Sequence, residues 1–333
     1  PSFNPALLAG YFDPAEKRRL DAMNELRPWR FRAIQDYFAP GSTFKVITAL
    51  AALKTGVTTV NEKVRCPGAF YLGRARWRCW KESGHGLVDL PLSLARSCDV
   101  WYYTMGARMG LEPIHEMGMA LGFGRMTQVP LSPESKGIMP GERWYAKNAR
   151  EGYTRGAAVN VSIGQGAMSA TPIQLAVAYA AIANGGHVYQ PQVALRIETY
   201  DGKDSRPIPP RLIRKVDIPD AHLAAVREGL RQVVNEPFGT AHYRRSKLLH
   251  VSGKTGTAQV AAMGKNRVRS RDQAWKVRDH AWFAALAPSE APEIAVSVFV
   301  EHGGGGSSAA APVAIRTIEA WWAAKQAQAG RAP

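Results

Sequence analysis

The order of local patterns along this 333-residue chain predicts an α+β fold: a mainly antiparallel sheet flanked by helices. Three observations lead there. Stretches with helical spacing fill the first two thirds. Short β-rich runs, "HVSGKTGTAQV", "HAWFAALAP" and "EIAVSVFVEH", gather in the last hundred residues. A final stretch, "AAPVAIRTIEAWWAAKQAQ", returns to helical spacing and closes the chain.

Each element has a local reason. In "PGSTFKVITALAALKTG" the Pro-Gly pair signals a turn, Ser42 is a good N-cap, and Lys54-Thr55-Gly56 is an exit. The helix between them is apolar on every side, which predicts burial all round. Residues 57–90 mix Gly, Pro, Arg and Trp without a period and read as irregular loop. "LPLSLARSCDVWYYTMGARMG" then resumes helical spacing, so one helix is expected to carry Ser97 and Asp99. "TPIQLAVAYAAIANGG" is a helix with Thr171 as N-cap, Pro172 at its first position and Gly185 past its end. "DAHLAAVREGLRQVV" is another, capped by Asp220. A basic connection at 265–278, with six Lys/Arg against one Asp, reads as a solvated mobile link between strands, and 288–292 as a turn. There is no internal repeat.

Composition bounds the function. With 46% hydrophobic and 21% charged residues the chain is globular and not disordered. Its net charge of +16, from 43 basic against 27 acidic residues, favours an anionic partner: nucleic acid, acidic lipid or an acidic wall polymer. No run of eighteen apolar residues exists to span a bilayer. The opening "PSFNPALLAG" has neither the basic nor the apolar region of a signal peptide and reads like a chain joined in mid-domain. Three cysteines are too few for a disulfide scaffold, and an odd number cannot all pair.

Three short patterns carry chemistry as a set: Ser42-Thr43-Phe44-Lys45, Ser97-Cys98-Asp99 and Lys254-Thr255-Gly256-Thr257. Ser42 and Lys45 are three apart, neighbours on one helical face. A serine hydroxyl attacks only after a base takes its proton, and a lysine serves when apolar burial and nearby cations favour its neutral form. Ser97 could relay a proton to a leaving amine. Lys254 and Thr255 could hold a substrate carboxylate. The N–H groups of Ser42 and Thr257 could form an oxyanion hole, where one donor is typically worth about 2.7–4 kcal/mol.

The motifs "PGSTFK", "SIGQG", "ATPIQLA", "GTAH", "GKTGTAQ", "DHAWFAALAP" and "EHGGGGSSAAAPVA", in that order, resemble the transpeptidase domain of a class B penicillin-binding protein. Within the family, Asp99 where most members have Asn, together with "CWKESGHG" and "GTAH", looks most like the elongation type. The division type usually keeps Asn there, and no deacylating carboxylate motif of a β-lactamase is found. The resemblance implies the penicillin-binding/β-lactamase-like fold, with a mainly helical subdomain beside the sheet. It implies that Ser42, Lys45, Ser97, Asp99 and Lys254 are catalytic and that Thr255, Gly256 and Thr257 bind substrate. Ser42 would attack the D-Ala–D-Ala end of a peptidoglycan stem peptide, and β-lactam antibiotics would acylate it. The whole of residues 1–333 would be one transpeptidase domain. The family's membrane anchor, pedestal and first two sheet strands are not matched here, so a trimmed sheet is expected. The implied setting is the periplasmic part of a single-pass inner-membrane protein. The implied partners are a SEDS-family glycan polymerase and an elongation scaffold protein, through the unmatched N-terminal part.

Cys98, between Ser97 and Asp99, admits three readings. It is an inert buried thiol, one half of a disulfide with Cys66 or Cys79, or a metal ligand with Cys66, Cys79 and His85. The metal reading uses every cysteine and the one histidine of that segment, and would brace 57–98 as a loop tied to a helix. Some members of the elongation type hold a zinc at matching places, with Asp at some of them, so the resemblance implies a structural zinc here. On that reading Cys98 faces away from the site that Ser97 and Asp99 serve. Asp99 is expected to accept from Lys45 or a substrate amide, although an ionised Asp99 also favours charged Lys45 and so opposes a lysine base. His280 is expected to be structural. Two rival functions stay open: a penicillin-sensing domain without turnover, and nucleic-acid binding driven by charge, for which no motif is found and which is not expected.

Overall fold

The computed structural model describes residues 13–23, 25–260 and 273–330. Two short helices, α1 (Pro14–Asp21) and α2 (Arg32–Gln35), lead to a 3-10 turn over Gly41–Phe44 and then to α3 (Lys45–Lys54). Every residue of α3 before Lys54 is buried, as its all-round apolar sequence requires. Ser42 is not the N-cap of this helix. It lies inside the 3-10 turn, where its carbonyl accepts the Lys45 N–H and no side chain caps either end.

The stretch read as irregular loop contains two strand pairs. β1 (Val64–Cys66) pairs with β4 (Gly86–Val88), and nested between them β2 (Ala69–Leu72) pairs with β3 (Ala75–Arg78). The nesting brings Cys66 level with Gly86 and folds the intervening segment back on itself.

The single helix expected across 90–110 is two. α4 (Leu90–Ala95) stops, and α5 (Asp99–Met109) starts with Cys98 as its N-cap residue. Between them Ser97 adopts a left-handed backbone with φ 51°. That conformation costs an L-residue roughly 1–2 kcal/mol, and nothing in the side chain of serine announces it. The break turns three consecutive side chains toward different neighbours, which an unbroken helix would spread over successive 100° steps.

Helices α6 (Glu112–Ala120), α7 (Glu142–Asn148) and α8 (Arg155–Val161) complete the helical part with α9 (Pro172–Ala183). Thr171 and Gln174 form a reciprocal capping box at the start of α9, and Gly185 follows with φ 82°. Two pairs not foreseen from sequence follow: β5 (His187–Tyr189) with β8 (Leu212–Lys215), and β6 (Arg196–Glu198) with β7 (Ser205–Pro207). Helix α10 (Asp220–Asn235) begins at Asp220 itself, so Pro219 and not Asp220 is the residue before it.

The main sheet has the order β11-β10-β9 and is antiparallel throughout: β9 (Ser252–Ala258), β10 (His280–Ala287) and β11 (Ile294–Val300). β10 is buried on both faces, and its period of two divides its side chains between two cores. Phe283 and three alanines, at 281, 285 and 287, pack with α11 (Ala311–Ala329) and the end of α10. Trp282, Ala284 and Leu286 join the large core around α3, α5 and α9. The mobile link expected at 265–278 lies mostly outside the described residues, and its last part holds a 3-10 turn over Trp275–Val277. No helix among the described residues is long and apolar enough to cross a membrane.

Candidate active site

The three motifs converge. The Lys45 ammonium, fully buried at the head of α3, meets three acceptors: the Ser97 carbonyl at 2.9 Å, Ser97 Oγ at 3.2 Å and Asp99 Oδ1 at 2.7 Å. An ammonium has three N–H donors, so all are used. From the opposite side Lys254, on β9 and also fully buried, donates to Ser97 Oγ at 2.9 Å and to the Thr255 carbonyl at 3.1 Å. Burial, reinforced by the charge of Lys45 and opposed by Asp99, holds the Lys254 amine well below the usual lysine range. The Ser97 hydroxyl therefore sits between two buried amines, of which Lys254 has its proton affinity lowered by its surroundings.

Ser42 is half-buried, one turn before Lys45, and no hydrogen bond links its side chain to either lysine among the described contacts. Its position follows from glycines. Gly41 has φ 55°, and a Cβ there would stand 2.6 Å from the Thr257 carbonyl oxygen. A Cβ on Gly256 would meet the Pro40 carbonyl at 2.9 Å. The turn that carries Ser42 thus lies directly against the main chain of β9, which is the proximity an oxyanion hole built from Ser42 and Thr257 needs. Gly41→Ala should slow acylation of Ser42 about tenfold or more. It adds a strained backbone of roughly 1–2 kcal/mol to a clash with fixed main chain, and a progress curve with a fluorescent penicillin reads the change.

Thr255 faces Thr240, with hydroxyls 2.8 Å apart. The "GTAH" segment therefore supports this strand, a contact with no local signal in sequence. Gln165, from "SIGQG", donates to the Thr257 carbonyl at 3.4 Å.

Sequence reading missed Trp80. Its main-chain N–H donates to Asp99 Oδ2 at 2.9 Å, and its indole N–H to the carbonyls of Arg96 and Ser97, both at 3.0 Å. A backbone donor carries no residue signature, so only the fold could disclose it.

Behind this motif lie Cys66, Cys79, His85 and Cys98. All four are buried, and one ligand atom from each falls within 4.8 Å of all the others. The cysteines are free thiols. His85 Nδ1 is 3.6 Å from Cys66 Sγ and 3.5 Å from Cys79 Sγ. A tetrahedral zinc with bonds of ~2.3 Å to sulfur and ~2.0–2.1 Å to nitrogen sets such edges at roughly 3.5 Å, so these residues could hold one. Their electrostatics point the same way. Hydrogen bonds from Cys79 and Cys98 pull the Cys66 thiol far below its usual value, while Cys66, Cys79 and burial push Cys98 far above it. Three thiols this close cannot all ionise alone, and a bound dication removes that conflict. His280, half-buried against Phe38, Phe299 and His302, has its pKa pushed down to about 4, chiefly by desolvation. It accepts the His302 N–H and contacts none of the catalytic candidates in these hydrogen bonds, in keeping with a structural role.

Residues 1–319 match the family described as the penicillin binding protein transpeptidase domain. The chain belongs to that family, and its fold is the penicillin-binding transpeptidase fold. It is 34% identical over 314 residues to the peptidoglycan D,D-transpeptidase MrdA of Acinetobacter baumannii, an alignment covering 93% of this chain and 46% of that protein. The crystal structure of Pseudomonas aeruginosa PBP2 in complex with WCK 5153 superposes with a TM-score of 0.81 at 34% identity, over 96% of this chain and 66% of that one. The complex between PBP2 and MreC from Helicobacter pylori gives a TM-score of 0.79 at 28% identity, over 94% and 54%. The chain spans about half the length of the curated relatives it matches.

Proposed function

We propose that this chain is the catalytic part of a peptidoglycan D,D-transpeptidase of the elongation type, working through an acyl-enzyme on Ser42. The observation that carries this is the Ser97 hydroxyl bonded by two buried lysines, beside the turn that presents Ser42. Lys45 acts as base for Ser42. To do so it must be neutral, and the Ser97 hydroxyl that it shares with Lys254 is the group through which its proton leaves and returns. Ser42 Oγ then attacks the carbonyl carbon between two D-Ala residues. The C–N bond breaks, the departing D-Ala amine takes its proton from Ser97, Lys45 passes the proton it took from Ser42 back to Ser97, and the ester remains. An amine of a second stem peptide attacks that ester, restores the Ser42 hydroxyl and leaves a 4→3 cross-link. The main chain around Ser42 and Thr257 faces the developing oxyanion, and Lys254, Thr255 and Gly256 line the strand on which the terminal carboxylate of the donor rests.

A zinc ion held by Cys66, Cys79, His85 and Cys98 is part of this reading. With four protein ligands it is structural, and it would supply order to the 64–88 strand pairs and no reacting group. The full-length protein is read as periplasmic and anchored in the inner membrane. There it joins a SEDS-family glycan polymerase and an elongation scaffold protein, and the similar PBP2 of Helicobacter pylori forms a complex with MreC. The excess of basic residues suits an anionic wall polymer.

Benzylpenicillin should add its mass once to the intact protein, on the peptide containing Ser42, and incubation with two stem peptides should release D-Ala and form a cross-linked product. An adduct elsewhere, or none, overturns the acyl-enzyme. An adduct on Ser42 without cross-linking makes the chain a penicillin-sensing domain.

A further inference from the structure

Trp80 follows Cys79 directly, yet its side chain is 45% exposed, so core packing does not account for it. Its two N–H groups reach the two residues that Lys45 also holds. The Ser97 carbonyl accepts from Lys45 Nζ and from the Trp80 indole, and the Asp99 carboxylate accepts from Lys45 on one oxygen and from the Trp80 main chain on the other. The ring lies 5.2 Å from that of His85. Ser97 is the left-handed residue of the α4–α5 break, a conformation that persists only where neighbours hold it.

We propose that Trp80 is a positioning residue of the active site: it clamps the strained Ser97 peptide and the far oxygen of Asp99, and so aims Lys45 and the Ser97 hydroxyl at Ser42. The inference rests on the acyl-transfer reading and adds a residue to it. It also accounts for an aspartate at position 99. A carboxylate accepts on both oxygens, whereas asparagine would turn an NH2 group toward either the Trp80 N–H or the Lys45 ammonium.

The test uses the protein purified without chelator, as wild type, as Trp80→Phe, and with Trp80 replaced by benzothienylalanine, an isostere in which sulfur stands in for the indole N–H. Stopped-flow acylation by a fluorescent penicillin separates the saturating rate constant from the half-saturation concentration. Both variants should lose about tenfold or more in the rate constant, the scale of one lost hydrogen bond. Half-saturation, metal content and melting temperature should stay at wild-type values. By NMR, the indole resonance missing in Trp80→Phe should exchange slowly with solvent in wild type in spite of its exposed ring. An isostere that acylates at the wild-type rate overturns the proposal, as does a rate loss matched by loss of folded protein or an indole that exchanges freely. A wild type that is never acylated at Ser42 overturns the transpeptidase reading itself, and the clamp with it.

Discussion

Lys45→Met should abolish acylation of Ser42 and weaken the fold, and the two losses should be separable. Methionine keeps the unbranched apolar stem of the side chain, one atom shorter, in a site where Lys45 has no exposed surface. It deletes the base, a group whose removal costs on the order of 10²–10⁴ in rate. It also strands Asp99, which is only 8% exposed and loses its 2.7 Å partner. Breaking a buried ion pair by removing one member costs about 3–5 kcal/mol, because the remaining charge stays uncompensated. Urea denaturation should therefore show a lower midpoint. Adding Asp99→Asn to Lys45→Met should restore most of it, since an uncharged amide can turn its oxygen to the Trp80 N–H. Acylation should stay absent in the double variant. A single variant as stable as wild type would mean that the pair contributes nothing, and an active double variant would remove Lys45 from the chemistry.

Loss of the proposed zinc should have a comparable effect on stability. Elemental analysis of protein purified without chelator or added zinc should find about one zinc per chain, and Cys98→Ser or His85→Ala should lose it. The binding free energy of structural zinc in small domains, about 10–16 kcal/mol at neutral pH, appears directly as folding free energy. Even a fraction of that would lower the melting temperature by about 10 °C, at roughly 2 °C per kcal/mol for a chain of this size. Acylation of Cys98→Ser should also slow, because Cys98 is the N-cap residue of α5, next to Asp99. Protein that contains no metal, with three titratable thiols and an unchanged melting temperature on addition of chelator, would return the cluster to buried thiols.

What sequence disclosed and what it hid divide along a physical line. The sheet strands, the buried helix at 45–54 and the capped helix at 172–183 rest on periodicity and capping residues, which are local, and they stand as read. The convergence of Ser42, Lys45, Ser97 and Lys254 was legible because those residue types serve one chemistry and occur in one order. The break at Ser97 was not, since any residue except glycine gives no warning of a left-handed φ. The strand pairs at 64–88 were not, because strands of three and four residues have too few alternations to show a period. The N-cap reading of Ser42 failed for a functional reason. A capping serine turns its hydroxyl back to the helix, whereas here the 3-10 turn leaves that hydroxyl uncommitted to a cap.

The break between α4 and α5 also bears on how the molecule can change over generations. Ser97, Cys98 and Asp99 are consecutive, and each answers to its own set of neighbours: Lys45 and Lys254, the thiol cluster, and Lys45 with Trp80. An insertion or deletion of one residue anywhere in this tripeptide would misalign all three at once. Adaptation to an inhibitor of Ser42 is therefore channelled away from this segment. Tolerated changes should accumulate at exposed positions instead, such as Phe238 and Tyr243 on either side of the segment that supports β9. An inhibitor that draws its affinity from the 97–99 main chain would meet the part of the protein with the least freedom to escape it.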